Sequence, residues 1–185
     1  MEGSNEEHSP NERTNMVEQS NTPQKSGKRA TIFAVTSGKG GVGKTSLSVN
    51  VACEFSRRGY RTIIIDTDLG LANAHILAGI KPEKTLSDYI SGTAELADII
   101  VDGPCQVKFI SGGSGVKDMA NLDDNGRAQI CVAIEDLAQF CDVVILDTGA
   151  GVSKGVTDFV TLADQCVLVT TSNFAAIADA YGIVK

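Results

Sequence analysis

The sequence Ser37-Gly-Lys-Gly-Gly-Val-Gly-Lys-Thr-Ser46 decides the fold, because it fits the pattern G-x-x-x-x-G-K-[ST] directly after the apolar run Thr31–Thr36. A strand that leads through glycines into a helix predicts a phosphate-binding loop. Glycines let the backbone turn closely enough to present several N–H groups to the oxygens of a triphosphate. Lys44 would supply the positive charge, and Thr45 would hold Mg²⁺. The alternative interpretation is a glycine turn before a helix.

Two carboxylates follow the second apolar run, in the stretch Ile63-Ile-Ile-Asp66-Thr-Asp68. The carboxyl ends of parallel strands form the ligand-binding edge of an α/β sheet. Alternate residues of a strand share a face, so both Asp66 and Asp68 are expected to point toward the phosphates if the strand continues that far. The alternative is a strand that ends in a capped turn.

The fourth apolar run, Val143-Val-Ile-Leu-Asp147, also ends in an acid. An acid at this place can hold Mg²⁺ through water opposite Thr45. The following residues, Thr148-Gly-Ala-Gly151, are small, and the N–H groups around Gly149 can approach a γ-phosphate. The phosphate loop and this run together predict a nucleotide site.

Apolar runs alternate with helical patterns along the chain. The predicted strands are Thr31–Thr36, Thr62–Asp66, Val107–Ile110, Val143–Asp147 and Cys166–Thr170. Short strands that are apolar on both faces are typical of a parallel sheet covered on both sides. The predicted fold is therefore an α/β domain with a doubly wound, mainly parallel sheet and helices on both faces.

Two helices show a clear apolar stripe. Residues Leu47, Val51 and Phe55 repeat every four positions, and Gly59 predicts the end of that helix. A second stripe contains Ile130, Ile134, Leu137 and Cys141, with Asn125 or Asp124 as the expected N-cap.

Composition limits the possible functions. The chain has 185 residues, 42% of them hydrophobic and 21% charged, which is typical of one globular domain. We expect a cytoplasmic protein, because no run is long enough to span a membrane and the polar N-terminus lacks a signal-peptide centre. The net charge of -7 gives the whole chain no electrostatic reason to bind nucleic acid or an anionic membrane.

The first 29 residues are rich in Asn, Ser, Glu, Gln and Lys, and they predict a disordered extension before a domain that begins near Ala30. The five cysteines show no C-x-x-C spacing, so we interpret them as reduced and mostly buried small side chains. The histidines His8 and His75 lack a metal-binding pattern, and no metal is predicted other than nucleotide-bound Mg²⁺.

The stretch Lys39–Thr45 reads Lys-Gly-Gly-Val-Gly-Lys-Thr and resembles the signature of the deviant Walker A ATPases of the MinD/ParA class. This resemblance implies a P-loop NTPase fold, ATP and Mg²⁺ as ligands, ATP hydrolysis and an ATP-dependent homodimer. In that class the first lysine, here Lys39, crosses the dimer interface to the partner's ATP. The alternative is that Lys39 is a solvated residue at the tip of the loop.

The resemblance also assigns site residues. It implies catalytic roles for Lys39, Lys44 and for Asp68, which would orient the attacking water, and metal roles for Thr45, Asp66 and Asp147. The nucleotide-binding residues that it implies are Gly38, Lys39, Gly40, Gly41, Val42, Gly43, Lys44, Thr45, Ser46, Asn73 and Gly149.

Within the class, three stretches resemble the flagellar number regulators, the FlhG/FleN branch: Asp68–Asn73, the spaced residues from Leu77 to Gly92, and Asp147–Gly151. The segments Ile110–Gly115 and Asp179–Tyr181 are also similar. The likeness covers Thr31 to Lys185. Two features depart from the branch: Thr171-Ser-Asn-Phe174 stands where it has Thr-Pro-Glu-Pro, and residues 1–29 lack the D-Q-A-x-x-L-R motif that stimulates a signal-recognition-type GTPase.

The resemblance implies a molecular switch that regulates flagellar number or placement. The implied partners are a second copy of the chain, and a signal-recognition-type flagellar GTPase, flagellar switch proteins or a transcription regulator. The alternatives are a ParA-like ATPase that partitions chromosomes or plasmids, and a truncated nucleotide-binding remnant without catalysis. Metal-cofactor insertion, a further activity in the class, uses a C-x-x-C that is absent from this sequence.

The chain ends at Lys185, inside the helix expected after the fifth predicted strand. Relative to the family, we expect residues 30–185 to be an ATPase domain whose C-terminal part is missing. That part often carries an amphipathic membrane helix in the family, so membrane contact by this chain is not expected.

Overall fold

The structure is a computed structural model that describes residues 27–69, 72–113 and 122–185. Most of the predicted N-terminal extension lies outside these residues, as do Gly70, Leu71, Ser114 and Gly115 of the motifs above. The described strands are β1 (Thr31–Ser37), β2 (Thr62–Asp66), β3 (Val101–Asp102), β4 (Lys108–Ile110), β5 (Val143–Ala150) and β6 (Gln165–Leu168).

The six strands form one sheet in the order β3-β4-β2-β5-β1-β6. All neighbouring strands are parallel except β3, which runs antiparallel to β4 at one edge. This arrangement confirms the predicted mainly parallel sheet. The strand β3 was not predicted, because a pair of residues is too short for a hydrophobic period to be recognised.

Six α-helices surround the sheet in the described part of the chain. They are α1 (Lys44–Arg57), α2 (Ala74–Leu77), α3 (Leu86–Ile90), α4 (Asp124–Leu137), α5 (Lys154–Leu162) and α6 (Phe174–Val184). Two short 3₁₀ helices, Leu96–Ile99 and Pro104–Gln106, flank β3. Among these residues no helix is both long enough and apolar enough to cross a membrane.

The ends of α1 and α4 test the predicted helix boundaries. Gly59 follows α1 with a φ of 89°, a left-handed conformation that glycine adopts without steric cost, so the predicted stop is confirmed. The predicted N-cap of α4 was wrong. Asp123, rather than Asp124 or Asn125, has extended backbone angles, and its carboxylate accepts a hydrogen bond of 2.8 Å from the Gly126 N–H.

Successive side chains of a strand point to opposite faces of the sheet, and this divides the core into two layers. Ile63 and Ile65 of β2 pack on one face of the sheet with Ile130 and Ile134 of α4. Ile64, between them, belongs to the opposite layer with Ala52 of α1. Helices therefore cover both faces, as two-sided apolar strands require.

The strand ends differ from the prediction by a few residues. The bounds of β2 are as predicted, whereas β5 continues three residues past Asp147 to Ala150. The extension pairs Ala150 with Ser37 of β1 after a register shift, and the Thr148 hydroxyl donates to the Val35 carbonyl at 3.1 Å. The strand thus includes Thr148, Gly149 and Ala150, which follow the predicted run Val143–Asp147.

The cysteines are only partly as predicted. All five are free, but only Cys53 and Cys141 are buried, while Cys105 and Cys131 are half-buried and Cys166 is exposed. The prediction that most are buried was wrong, because β6 is the outermost strand in the described sheet and leaves Cys166 uncovered.

Arg29, two residues before β1, connects three parts of the fold. Arg29 donates to Glu135 of α4 at 2.9 Å and to Asp164, just before β6, at 2.8 Å. The same Asp164 carboxylate accepts from the Ile32 N–H at 2.8 Å. These contacts fix the start of β1 and so the direction in which it enters the phosphate loop.

Candidate functional site

The loop from β1 to α1 has the backbone shape that its glycines allow. Gly41 and Gly43 have φ angles of 76° and 96°, which a residue with a Cβ rarely adopts. The Ser37 hydroxyl donates to the Lys39 carbonyl at 2.7 Å and shapes the start of the loop. The loop therefore turns sharply between the end of β1 and the first turn of α1.

Lys44 is the first residue of α1 and is buried, with a relative exposure of 8%. Its charge lies close enough to Asp147 to oppose the rise in the pKa of that carboxyl group. A lysine is rarely buried without a counter-charge. The positive charge of Lys44 is thus compensated by the carboxylate of Asp147 in β5.

Asp147 is almost completely buried and accepts hydrogen bonds from α1. The Ser48 hydroxyl donates to its Oδ1 atom at 2.8 Å, and the Thr45 hydroxyl lies close enough to lower the pKa of Asp147. Burial raises the pKa of Asp147, while these hydroxyl groups and Lys44 oppose the rise. Asp147, the acid that ends the predicted run Val143–Asp147, therefore lies beside Thr45, as the sequence pattern requires.

Asp66 lies next to Asp147, because β2 and β5 are neighbours and the two residues are paired in register. Its Oδ1 atom accepts from the Asp68 N–H at 3.1 Å and its Oδ2 atom from the Ala74 N–H at 3.0 Å. Burial raises the pKa of Asp66 to about 7, the Ala74 hydrogen bond opposes this, and Asp147 adds to it. Asp66 thus holds both ends of the loop between β2 and α2.

Asp68, the second carboxylate of the pair, faces the loop after β5. A Cβ atom added to Gly149 would lie 3.6 Å from its Oδ1 atom, so Asp68 and Gly149 are neighbours across the site. Asp68 is half-buried and lines the cavity, whereas Asp66 lies beneath it. The two acids predicted to act together therefore have different environments.

A cavity of about 1550 Å³ opens over the phosphate loop at the carboxyl ends of β2 and β5. Nine of the predicted site residues line it: Gly40, Gly41, Gly43, Lys44, Thr45, Ser46, Asp68, Asn73 and Gly149. Asp66 and Asp147 are buried below its floor. Gly38, Lys39 and Val42 do not line it, and Lys39 is exposed.

Two contacts of the site were not predicted. Ser48 binds Asp147, and its position one turn after Thr45 on α1 is the signal that could have identified it. Gly38 lies against α6: a Cβ atom there would be 2.2 Å from the backbone carbon of Asp179. No local pattern predicts this second contact, because more than 140 residues separate the two segments.

The donor set fits Mg²⁺ only together with a phosphate ligand. Among the described residues, no group of three or more His, Cys, Asp or Glu side chains could hold a metal ion. Magnesium sites commonly use one or two carboxylates, water and substrate phosphates. The Thr45 hydroxyl and the Asp147 carboxylate, side by side at the end of the phosphate loop, match that pattern.

Comparison with known proteins gives a family and several relatives. The CbiA family, described as the CobQ/CobB/MinD/ParA nucleotide binding domain, matches residues 33–180. The antiactivator FleN of Pseudomonas aeruginosa is 40% identical over 154 residues, which is 83% of this chain and 55% of FleN. The flagellum site-determining protein YlxH of Helicobacter pylori is 35% identical, over 83% of this chain and 52% of YlxH.

Among solved structures, the septum site-determining protein MinD of Pyrococcus horikoshii in complex with Mg-ADP has a TM-score of 0.73 and 25% identity. The match covers 81% of this chain and 61% of that protein. These findings confirm the P-loop NTPase fold and the resemblance to the MinD/ParA class and its flagellar branch. The chain spans about half the length of the curated relatives named here.

Proposed function

The chain belongs to the CobQ/CobB/MinD/ParA nucleotide-binding family, and from this we propose that it is an ATP-hydrolysing molecular switch that regulates flagellar number or placement. The proposed ATPase domain is residues 30–185, with residues 1–29 as an extension. The flagellar role rests on the names of two relatives, the antiactivator FleN and the flagellum site-determining protein YlxH.

The observation that carries the ATPase proposal is the pairing of Asp66 with Asp147 at the edge of the sheet next to the phosphate loop. Asp66 accepts a hydrogen bond from the Ala74 N–H at the start of α2, and Asp147 accepts one from Ser48 of α1, close to Thr45. Burial of a carboxylate costs free energy unless the group is paired with a positive charge or accepts hydrogen bonds. A pair beside a buried lysine supports phosphate chemistry rather than a glycine turn with no ligand.

Each side chain has a separate proposed task in ATP hydrolysis. The N–H groups of the loop between β1 and α1 bind phosphate oxygens, and Lys44 neutralises their charge. Asp68, which lines the cavity, orients the water that attacks the γ-phosphorus. Mg²⁺, held by Thr45 and through water by Asp147, would neutralise the charge that develops on the phosphate oxygens.

We further propose that ATP controls association of two copies of the chain, with Lys39 as the residue that acts across their interface. Lys39 is exposed and does not line the cavity of its own chain, which supports a role outside that cavity. ATP-bound and ADP-bound states that differ in association would differ in affinity for flagellar partners. A flagellar GTPase, switch proteins and a transcription regulator are the proposed partner classes.

The test of nucleotide binding is the substitution Lys44→Ala. We expect it to abolish ATP binding and hydrolysis, because it removes the buried cation while the loop and α1 persist. Lys84→Ala is the matched control, since Lys84 lies outside the cavity in an ion pair of 2.9 Å with Asp98. Affinity is measured by isothermal titration calorimetry with ATP and Mg²⁺, and turnover by phosphate release.

Equal ATP affinity in wild type and the folded Lys44→Ala protein would contradict a phosphate loop at residues 38–46. Binding without measurable turnover in wild type would contradict the proposed hydrolysis and would leave the second interpretation, a nucleotide-binding protein without catalysis.

A further inference from the structure

A second, smaller cavity lies on the other side of α2 from the candidate nucleotide site. It has a volume of about 250 Å³ and is bounded by α2, α3 and the residues that follow β4. We call it the α2–α3 pocket and define it by the six residues His75, Lys81, Thr85, Ser87, Asp88 and Ser111. It shares α2 with the larger cavity, which Ile76 and Leu77 line from the opposite side.

The hydrogen bonds of the pocket leave specific groups available. Ser111 is buried, and its Oγ atom is 3.3 Å from His75 Nδ1, so this contact orients the imidazole ring. The Nε2 atom of His75 has no hydrogen-bond partner among residues 27–69, 72–113 and 122–185. The side chains of Lys81 and Ser87 likewise make no hydrogen bond or ion pair within the described residues. An ammonium group and a hydroxyl group therefore remain as donors, and Nε2 is a third donor in the tautomer in which Ser111 donates to Nδ1.

Asp88, the acid of the pocket, already accepts hydrogen bonds from Thr85 at the N-terminus of α3. Asp88 Oδ2 accepts from the Thr85 N–H at 2.8 Å and from the Thr85 hydroxyl at 2.9 Å. The Thr85 proton is thus already used, and Asp88 Oδ1 remains as an acceptor in the described structure. A ligand that fits must bring an anionic group for the three donors and a hydroxyl group for this oxygen.

We propose that the α2–α3 pocket binds a small phosphate monoester that carries a free hydroxyl group. The phosphate accepts charge-assisted hydrogen bonds from Lys81 and the His75 ring and a further bond from Ser87. The hydroxyl group donates to Asp88. The volume of about 250 Å³ lies below the range of about 300–1,000 Å³ that drug-sized ligands occupy, so the ligand is small.

The test uses glycerol 3-phosphate, inorganic phosphate and glycerol as probes, each titrated into the full chain by calorimetry. Glycerol 3-phosphate should bind more tightly than inorganic phosphate, and glycerol alone should not bind. Lys81→Ala should weaken glycerol 3-phosphate binding about tenfold, because it removes a charged donor. Ser87→Ala should weaken it by a smaller factor. Lys84→Ala, the control, should bind as wild type does, since Lys84 is paired with Asp98 on the same segment.

The phosphate loop is the competing site for these probes, and Lys44→Ala separates the two. Glycerol 3-phosphate binding should persist in Lys44→Ala, whether or not that variant retains ATP binding, so the two proposals fail independently. Binding that disappears in Lys44→Ala but is unchanged in Lys81→Ala would overturn the pocket proposal. Absence of binding by the wild type at millimolar probe would also overturn it.

Discussion

Three acids near the phosphate loop differ in burial, and this difference separates their tasks. Asp66 and Asp147 are almost fully buried and are held by backbone or hydroxyl donors, whereas Asp68 is half-buried and lines the cavity. A carboxylate that must orient water needs access to it, and a carboxylate that fixes a loop does not. Asp68 is therefore the acid of this group that can contact a reacting molecule directly.

At the residue scale, Asp68→Asn should preserve ATP binding and slow hydrolysis about a hundredfold, because the amide keeps the size of the side chain but loses its charge. Single-turnover phosphate release at saturating ATP measures the chemical step. An unchanged rate with unchanged affinity would remove Asp68 from the proposed mechanism.

Asp66 gives a pH-dependent prediction for the nucleotide-free protein. Its pKa is about 7 in the fold against 3.8 for an ordinary aspartate, so folding favours the protonated form. The stabilising contribution is complete below about pH 4 and is lost as the pH rises through about 7. Asp66→Asn should remove this dependence, which is measured as the difference between the urea unfolding curves of wild type and variant from pH 4 to pH 8. A difference that stays constant with pH would contradict it.

At the scale of elements, sequence reasoning succeeded where a local pattern sets the structure. The bounds of β2, the start of α1 at the phosphate loop and its end before Gly59 all follow from apolar runs and glycines. Three features escaped it for different reasons. Strand β3 has too few residues for a hydrophobic period to be recognised. Asp123 is followed by two further polar residues that are equally plausible N-caps of α4. The contact between Gly38 and α6 joins segments that are far apart in sequence.

Candidate site residues were predicted on the same basis. The glycine loop and the acids Asp66, Asp68 and Asp147 belong to short motifs at or just after predicted strands, and the parallel sheet places these motifs close together. Ser48 was missed because its one sequence signal, a position one turn after Thr45, does not show which side chain it contacts. Only the tertiary placement of α1 against β5 turns it into a donor to Asp147.

The contact between the phosphate loop and α6 predicts a specific cost for Gly38→Ala. The added Cβ atom would be 2.2 Å from the Asp179 backbone carbon and 2.5 Å from the Ala180 nitrogen, so α6 must shift. We expect a loss of stability of about 1–3 kcal/mol and faster amide hydrogen exchange across residues 174–184. Gly40→Ala is the control, because a Cβ atom there meets nothing within 4 Å. Equal stability and exchange in the two variants would contradict the contact.

On the scale of the whole molecule, the face around the phosphate loop exposes apolar side chains. Phe174, Ile177, Tyr181 and Val184 of α6 are exposed at spacings of three and four residues, which places them along one side of the helix. Another side of the helix buries Ala176 and Ala180 and contacts Gly38. Lys39 follows Gly38 directly, so an exposed cation stands next to an exposed apolar helix.

The substitution Lys39→Ala tests association directly. If Lys39 neutralises the phosphates bound by a second copy, the variant should bind ATP nearly as tightly as wild type, because Lys39 does not line its own cavity. It should lose ATP-dependent dimerisation and the hydrolysis that depends on the dimer. Lys28→Ala, which removes another exposed lysine before the start of β1 and so at the other end of this strand from the phosphate loop, is the matched control and should behave as wild type. Molecular mass is measured by light scattering with Mg²⁺ and a slowly hydrolysed ATP analogue.

Two outcomes would refute the proposed role of Lys39 across an interface. One is a wild type that remains monomeric at saturating nucleotide, and the other is a Lys39→Ala protein that dimerises as well as wild type. A third result, loss of ATP binding in Lys39→Ala, would place the lysine within its own site and contradict its exposure outside the cavity. Because binding, mass and turnover are measured on the same variants, dimerisation and catalysis are tested separately. Intact binding and slow turnover with no dimer in either protein would indicate a monomeric ATPase rather than an association-controlled switch.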